Sequence, residues 1–315
     1  MRVILPMPGN EAMAEALARS LGAELGVLSW RRFPDSEAYV RIVSDVRDKR
    51  IDVVCTLANP DPQVVTLLFA AATARERGAD GVHLIAPYLA YMRQDASFAP
   101  GEAVSAVHFA RLLSQVFDSV ISIDPHLHRI GDLEDIFSVP TRVGRAAPLL
   151  GDWIAQNLDA PLIIGPDQES EQWVAEVALR AGAPYVVARK QRLSDHQVRI
   201  ELPDLTRWSG RRPVLVDDIV SSGQTMIETT RHLAACGMAK PYCLAIHAVF
   251  APKVFDNLAL LTERVVTTDT IAHPSNAISV LDTLARLIEP SGCGKSTLIS
   301  LVAGQSSRRF QRERA

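Results

Sequence analysis

Short runs of β-branched and aliphatic residues alternate with longer amphipathic stretches along this chain, and no other feature constrains its fold as much. Val53-Val54-Cys55-Thr56 has the length and composition of a buried strand. Asp61-Pro62 then supplies an N-cap and a first-turn proline, and Gly78 a stop, for a helix rich in Ala and Leu. Val82 to Ala86 and Val120 to Ile123 repeat the strand signal on either side of a helix over Ala103 to Ser114. A crossover is expected at Pro140 to Ala147, after which the rhythm restarts. Leu162-Ile163-Ile164 is a strand, Ser170 to Ala181 a helix, Tyr185 to Ala188 and Val214 to Val216 strands, and Gln224 to Cys236 a helix. A chain of 315 residues has room for about two cores, so the economical architecture is α/β with two similar halves in tandem. No residue-level repeat relates the two.

Composition removes several function classes. With 33 Lys+Arg against 36 Asp+Glu there is no global basic excess, so no nucleic-acid partner is expected. The longest nearly apolar run, Val64 to Ala74, falls short of the roughly 18 to 20 residues that span a bilayer, so no membrane partner is expected either. Met1 to Pro6 is too short an apolar stretch for a secretory signal, and a cytoplasmic location is expected. Cys55, Cys236, Cys243 and Cys293 form no C-x-x-C pair, so reduced and mostly buried thiols are expected. The chemistry should lie where strands end and helices begin, because loop amides and helix N-termini gather there.

The most informative segment runs from Val214 to Met226. An apolar strand delivers Asp217 and Asp218, a small-residue loop of Ser221, Ser222, Gly223, Gln224 and Thr225 follows, and a helix begins. Such a loop aims backbone N–H groups and hydroxyls at a phosphate, while the acids accept from sugar hydroxyls or hold a metal. Ribose 5-phosphate offers both groups at that separation. A capped helix start behind an acidic turn is the plain structural alternative. The segment resembles the 5-phosphoribosyl-diphosphate motif of the type I phosphoribosyltransferase fold.

Two earlier segments carry further polar groups. Phe33 with Asp35 and Glu37 offers a flat ring and alternate carboxylates suited to a purine nucleoside, though a solvated strand edge would have the same composition. Pro87 to Asp95 ends in Arg93, Gln94 and Asp95, of which Arg93 suits a bidentate phosphate contact and Gln94 a base edge or ribose. A surface Arg–Asp pair is the alternative there. Together with Asp124-Pro125-His126, Pro166-Asp167, Lys190-Gln191-Arg192 and Asp217 to Thr225, these segments stand in the order of the motifs of ribose-phosphate pyrophosphokinases. Thr270 to Asn276 echoes the family's T-I-x-H-P, and the resemblance covers about residues 1 to 289.

That resemblance implies two tandem type I phosphoribosyltransferase-like domains with mostly parallel sheets flanked by helices. Residues 1–142 would carry the nucleotide site, residues 143–289 the ribose 5-phosphate site, and residues 290–315 an extension. It implies transfer of an intact diphosphoryl group from ATP to the anomeric hydroxyl of ribose 5-phosphate, with AMP leaving and Mg2+ as cofactor. ATP would be bound by Phe33, Asp35, Glu37, Arg93, Gln94 and Asp95. The sugar phosphate would be bound by Arg192, Asp217, Asp218, Ser221, Ser222, Gly223, Gln224 and Thr225. Lys190 and Arg192 would be the catalytic cations, and His126 and Asp167 would serve the metal. A homo-oligomer is implied, because the Phe33 segment would complete a neighbour's nucleotide site. His128 has no implied role. The H-x-H spacing has no Cys or Asp cluster nearby to complete a tetrahedral set, which speaks against zinc.

The sequence departs from the family pattern at several points. Ala96 to Glu102 lacks the basic run of many bacterial members and looks closer to archaeal-type relatives. Glu169 and Ser170 stand where a glycine pair is usual, and Gln224 replaces a common glycine. Glu289 to Leu298 resembles a P-loop without its first glycine, with too little chain after it for an ATPase sheet. An inert extension is expected. A phosphoribosyltransferase and a catalytically silent homologue are the competing readings.

Overall fold

The computed structural model describes residues 1–194 and 197–289, without the side chains of residues 169, 172, 190–194 and 197–200. The P-loop-like extension therefore lies outside the described residues. The first half contains β1 (Arg2–Pro6), α1 (Glu11–Leu21), β2 (Glu24–Leu25), β3 (Leu28–Arg32), β4 (Ala38–Ile42) and β5 (Arg50–Val54). It continues through α2 (Pro60–Glu76), β6 (Gly81–Ala86), α3 (Ser105–Ser114), β7 (Ser119–Ile123), β8 (Thr141–Gly144) and α4 (Ala147–Asn157). The second half contains β9 (Pro161–Gly165), α5 (Glu171–Ala181), β10 (Tyr185–Val187), β11 (Arg189–Ser194), β12 (Gln197–Glu201) and β13 (Arg212–Ile219). It ends with α6 (Gln224–Ala235), β14 (Tyr242–His247), α7 (Val254–Leu261), β15 (Arg264–Thr268), β16 (Asn276–Ile278) and α8 (Leu281–Ile288).

Two six-stranded sheets result, ordered β2-β1-β5-β6-β7-β8 and β10-β9-β13-β14-β15-β16. Every pairing within them is parallel. The second order is the first with each strand number raised by eight, so one architecture occurs twice. Each half also carries one antiparallel hairpin at the same point of its chain order, β3–β4 and β11–β12. The repeat resides in the pattern of elements and not in residue identities.

Period-two alternation sends the residues of each strand to opposite faces, and here both faces are buried, which is why the strands have near-continuous apolar sequences. Val3, Leu5, Val53, Leu84 and Val120 face the outer core with α2 and α3. Ile4, Val54, Ile85 and Ile121 face inward, into a core shared with Ile163, Val214, Leu244 and Val266 of the second sheet. The helices of that shared layer are exchanged. Helix α4 packs on α5 and against β14 and β16, while α8 packs on α1 and against β7 and β8. Arg2 fastens the end of α8, pairing with Glu289 at 2.8 Å and with the buried Asp52 at 2.9 Å.

Several boundaries differ from expectation. Helix α2 begins at Pro60 with Asn59 as its N-cap, so Asp61 lies inside the first turn, where two prolines fit because their missing N–H groups have no helical partner. Strand β13 continues to Ile219, since Asp217 and Ile219 pair with Ala245 and His247 of β14. The border expected at 142/143 falls inside β8, whose end at Gly144 is where the chain leaves the first sheet. Cys55 and Cys243 are buried with their thiols pushed up to about 12 by desolvation, whereas Cys236 is exposed at the end of α6. No described helix is long and apolar enough to cross a membrane.

Candidate active site

The C-terminal ends of β7 and β13 open on one cleft of about 1840 Å3 between the halves. Pockets that hold one drug-sized ligand run to roughly 300 to 1000 Å3, so there is room for two substrates side by side. Arg93, His126, Asp167, Asp217, Asp218 and the loop from Ser221 to Thr225 all line it.

The first-half wall begins at Asp124, a non-glycine residue with φ of 35°. That left-handed turn costs backbone energy and is held on several sides. The Asp124 N–H donates to the carbonyl of Gly144 at 2.9 Å, and its carboxyl accepts from the Ala146 N–H at 2.5 Å. Burial pushes the Asp124 carboxyl up to about 7 despite that bond. The turn carries His126 into the cleft, where its Nδ1 meets Asp218 Oδ2 of the second half, 92 residues away in sequence. Asp218 is the acceptor. Burial works against its charge, but the hydrogen bond and positive charge of His126 outweigh it and hold the carboxyl below the usual range.

Asp217 behaves oppositely. Burial first, then the negative charges of Asp218 and Asp167, push its carboxyl well above the usual range. Adjacent acids on one strand end are thus pushed in opposite directions. Asp167 follows β9 in a tight turn closed by Ser170, whose hydroxyl donates to the Asp167 carbonyl at 2.6 Å and whose N–H donates to its carboxylate at 3.2 Å. Ser170 therefore serves the turn from a buried position.

The loop from Ser221 to Thr225 feeds directly into α6, whose first turn opens on the cleft with the unpaired N–H groups of a helix start, an arrangement that can accept an anion. Gly223 caps that helix at φ 63°, and a Cβ there would come within 2.4 Å of Val254 Cγ1. Only glycine meets both demands. Gln224, in contrast, is the exposed first residue of α6, where a side chain costs nothing.

Other expected residues are placed elsewhere. Phe33, Asp35 and Glu37 form the exposed tip of the β3–β4 hairpin and do not line the cleft. The Arg31 guanidinium stacks over the Phe33 ring at 4.2 Å, and Asp35 accepts from the Glu37 N–H at 3.1 Å. Gln94 Oε1 accepts from the Ser105 hydroxyl at 2.7 Å, at the start of α3. Asp95 is buried and accepts from the backbone N–H groups of His128 and Arg129 at 2.7 and 2.6 Å, so its carboxylate shapes the His126 loop from beneath. Lys190 and Arg192 lie on β11, opposite Ile200 and Val198 of β12; their side chains, like that of Glu169, lie outside the described residues.

His128, to which the sequence assigned no role, stands beside His126, and the residues not singled out from sequence are Asp124 as a strained turn and the buried His247. The available signal for His247 was a histidine ending the apolar run Cys243 to Ile246.

Among the described residues, no three His, Cys, Asp or Glu side chains converge as a ready metal cage. Asp217 and Asp167 both line the cleft and bring carboxylate oxygens to it. Carboxylates on one wall suit a hard divalent ion that takes one or two protein oxygens and completes its shell with phosphate and water.

Residues 2–116 match the family model described as the N-terminal domain of ribose phosphate pyrophosphokinase, and residues 135–259 match the phosphoribosyl transferase domain. The chain is 35% identical over 291 residues to the ribose-phosphate pyrophosphokinase of Methanopyrus kandleri, covering 91% of this chain and 98% of that protein. It is 30% identical to that of Methanosarcina acetivorans, covering 91% and 99%. The crystal structure of phosphoribosylpyrophosphate synthetase from Mycobacterium smegmatis superposes with a TM-score of 0.79 at 22% identity, over 91% of this chain and 97% of that one, and shares its fold.

Proposed function

The chain belongs to the ribose-phosphate pyrophosphokinase family, and we propose that its cleft joins ATP and ribose 5-phosphate to give 5-phosphoribosyl 1-diphosphate and AMP. The observation that carries this reading is the contact of His126 with Asp218, which sets the nucleotide-side loop of one half against the phosphoribosyl loop of the other.

In this reading the 5-phosphate sits on the loop from Ser221 to Thr225, at the N-terminus of α6. Asp218, ionised, accepts from a ribose hydroxyl, and Asp217 stands beside it. That fixes the sugar with its anomeric hydroxyl toward the first-half wall. The hydroxyl oxygen attacks the β-phosphorus of ATP in line, the new O–P bond forms, the bond from the β-phosphorus to the bridging oxygen of AMP breaks, and the hydroxyl proton is released to water. Arg93 contacts the phosphate chain from the cleft wall. Lys190 and Arg192, on the β11 segment, neutralise charge that builds on the phosphate oxygens in the transition state. Asp167 with Asp217 would hold Mg2+, with His126 acting through water or on phosphate; Mg2+ supplies neutralisation of the nucleotide oxygens.

The Phe33, Asp35 and Glu37 tip is exposed and remote from its own cleft, and Trp30 on the same hairpin is 46% exposed. Stacking of Phe33 on the adenine of a second copy's ATP accounts for both facts, and makes the protein a homo-oligomer. The test is a product assay with ATP, ribose 5-phosphate and Mg2+. Equal, sugar-dependent formation of AMP and phosphoribosyl diphosphate is expected. Phosphoribosyl diphosphate consumption without AMP release would instead make the protein a phosphoribosyltransferase.

A further inference from the structure

Tyr91 adopts φ 64° in the turn that leads to Arg93, and it is the one aromatic residue among the described residues with a left-handed backbone. Glycine takes that conformation freely, whereas a bulky residue takes it only under strain. The reason for a tyrosine at this point therefore lies in what its side chain does. Its ring packs on Phe109 of α3 with the ring centres 4.7 Å apart, and its hydroxyl donates to Asp61 Oδ1 in the first turn of α2. Asp61 stands between Pro60 and Pro62, whose fixed φ angles make that turn a rigid base. The bond to Asp61 also holds the Tyr91 phenol above its ordinary range, so the donor keeps its proton.

The residues after Tyr91 are fastened, with one exception. Gln94 accepts from the Ser105 hydroxyl at 2.7 Å, and its carbonyl accepts from the Ala106 N–H at 3.3 Å. Asp95 is buried beneath the backbone of His128 and Arg129. Arg93 alone in this segment is exposed and lines the cleft, and among the described residues no hydrogen bond or ion pair holds its guanidinium. A side chain without partners takes its direction from its backbone, which Gln94 and Asp95 fix on one side and Tyr91 on the other. The Tyr91 bond to Asp61 lies at the surface, so breaking it leaves no unsatisfied group in the core.

We propose that Tyr91 and Asp61 are positioning residues for Arg93, the bond between them holding the strained turn so that the guanidinium meets the phosphate chain of the nucleotide. The inference rests on the reading that Arg93 contacts those phosphates. Without the bond the turn relaxes toward ordinary backbone angles, Arg93 moves with it, and a planar cation slightly out of place loses its phosphate contact.

The test is direct titration of the full chain with ATP and, in parallel, with ribose 5-phosphate. The parent is compared with Tyr91→Phe, Asp61→Ala, Asp61→Asn, Arg93→Ala and the double variant that joins Tyr91→Phe to Arg93→Ala. Tyr91→Phe keeps the ring on Phe109, and Asp61→Asn keeps an acceptor oxygen. ATP affinity is expected to fall at least about fivefold in Tyr91→Phe and Asp61→Ala and less than about twofold in Asp61→Asn, with ribose 5-phosphate affinity changing less than about twofold in all three. Once Arg93→Ala has weakened ATP binding, adding Tyr91→Phe should change it less than about twofold further, because residues that act through one contact are not additive. Full additivity of the two would overturn the proposal and leave a bond that serves only the local structure. Parent-like ATP affinity in Tyr91→Phe or in Arg93→Ala would overturn it too, as would an equal loss of ATP and ribose 5-phosphate affinity in Tyr91→Phe. Failure of the diphosphokinase reading would appear separately, as no AMP formed by a parent whose ATP affinity still depends on Arg93.

Discussion

His247 Nε2 donates to the main-chain carbonyl oxygen of Asp124 at 3.1 Å, joining the last residue of β14 to the strained turn after β7. A carbonyl has no proton to give, so the proton is on Nε2, and Nδ1 accepts from the Thr270 hydroxyl at 2.9 Å. The ring is neutral. Thr56 of the first half reaches back to the Thr270 carbonyl at 2.9 Å, closing the link between the halves. Through Asp124 this bond governs where His126 meets Asp218, and so how the two substrate loops face each other.

Burial lowers the His247 pKa to about 4, from an ordinary value near 6.5. The unfolded chain therefore binds a proton in acid that the folded chain refuses. This contribution is fully present above about pH 6.5 and is lost as pH falls toward 4, on the order of 3 kcal/mol in all. Asp124 has the opposite sign: with its carboxyl held up near 7, its ionisation costs stability as pH rises from about 4 to 7. Relative to the parent, His247→Gln should lose the acid-side decline while keeping a donor to Asp124. Asp124→Asn should gain stability relative to the parent as pH rises through that window. Urea unfolding from pH 4 to 7.5 checks both, and parallel curves for all three proteins would refute the assignment.

A cation held at Asp217 would bind its ionised form, and the proton there is held above the usual carboxylate range. Mg2+ affinity should therefore rise with pH, with proton release on binding, until Asp217 is ionised in the free protein. Asp217→Asn should weaken Mg2+ binding and flatten that slope. Calorimetry in two buffers of different ionisation enthalpy measures the released proton directly.

Gly223→Ala meets both a left-handed backbone and the Val254 side chain. A loss on the order of 3 kcal/mol is expected, together with weaker ribose 5-phosphate binding, because the first turn of α6 shifts. Gln224→Gly, at the exposed next position, should leave sugar-phosphate binding nearly unchanged. Thermal melts and sugar-phosphate titrations of the two variants separate strain from general tolerance of the loop.

Lys190→Ala should lower turnover about a hundredfold or more while changing ATP affinity by less than about threefold, since a contact to developing charge strengthens mainly in the transition state. Steady-state kinetics with a direct nucleotide-binding measurement test the split. Turnover near that of the parent would move the catalytic cation to another residue.

What the sequence by itself determined was local and periodic. The apolar run into Asp217 and Asp218, the small-residue loop and the helix behind it were legible because strand, turn and capped helix each leave a mark within a few residues. The order of the motifs was legible for the same reason. Tertiary structure alone decided which faces meet: the shared inner core, the exchange of α4 and α8 between the sheets, and the meeting of His126 with Asp218. It also decided that Asp95 turns inward beneath the His128 loop while Phe33 stays outside, although both are polar-segment residues of similar promise in sequence. Periodicity shows that a strand has two buried faces but not what covers each, because that depends on packing between elements far apart in the chain. The duplicated strand order was hidden for a related reason: many apolar sequences fill the same core volume, so architecture persists where residue identity does not.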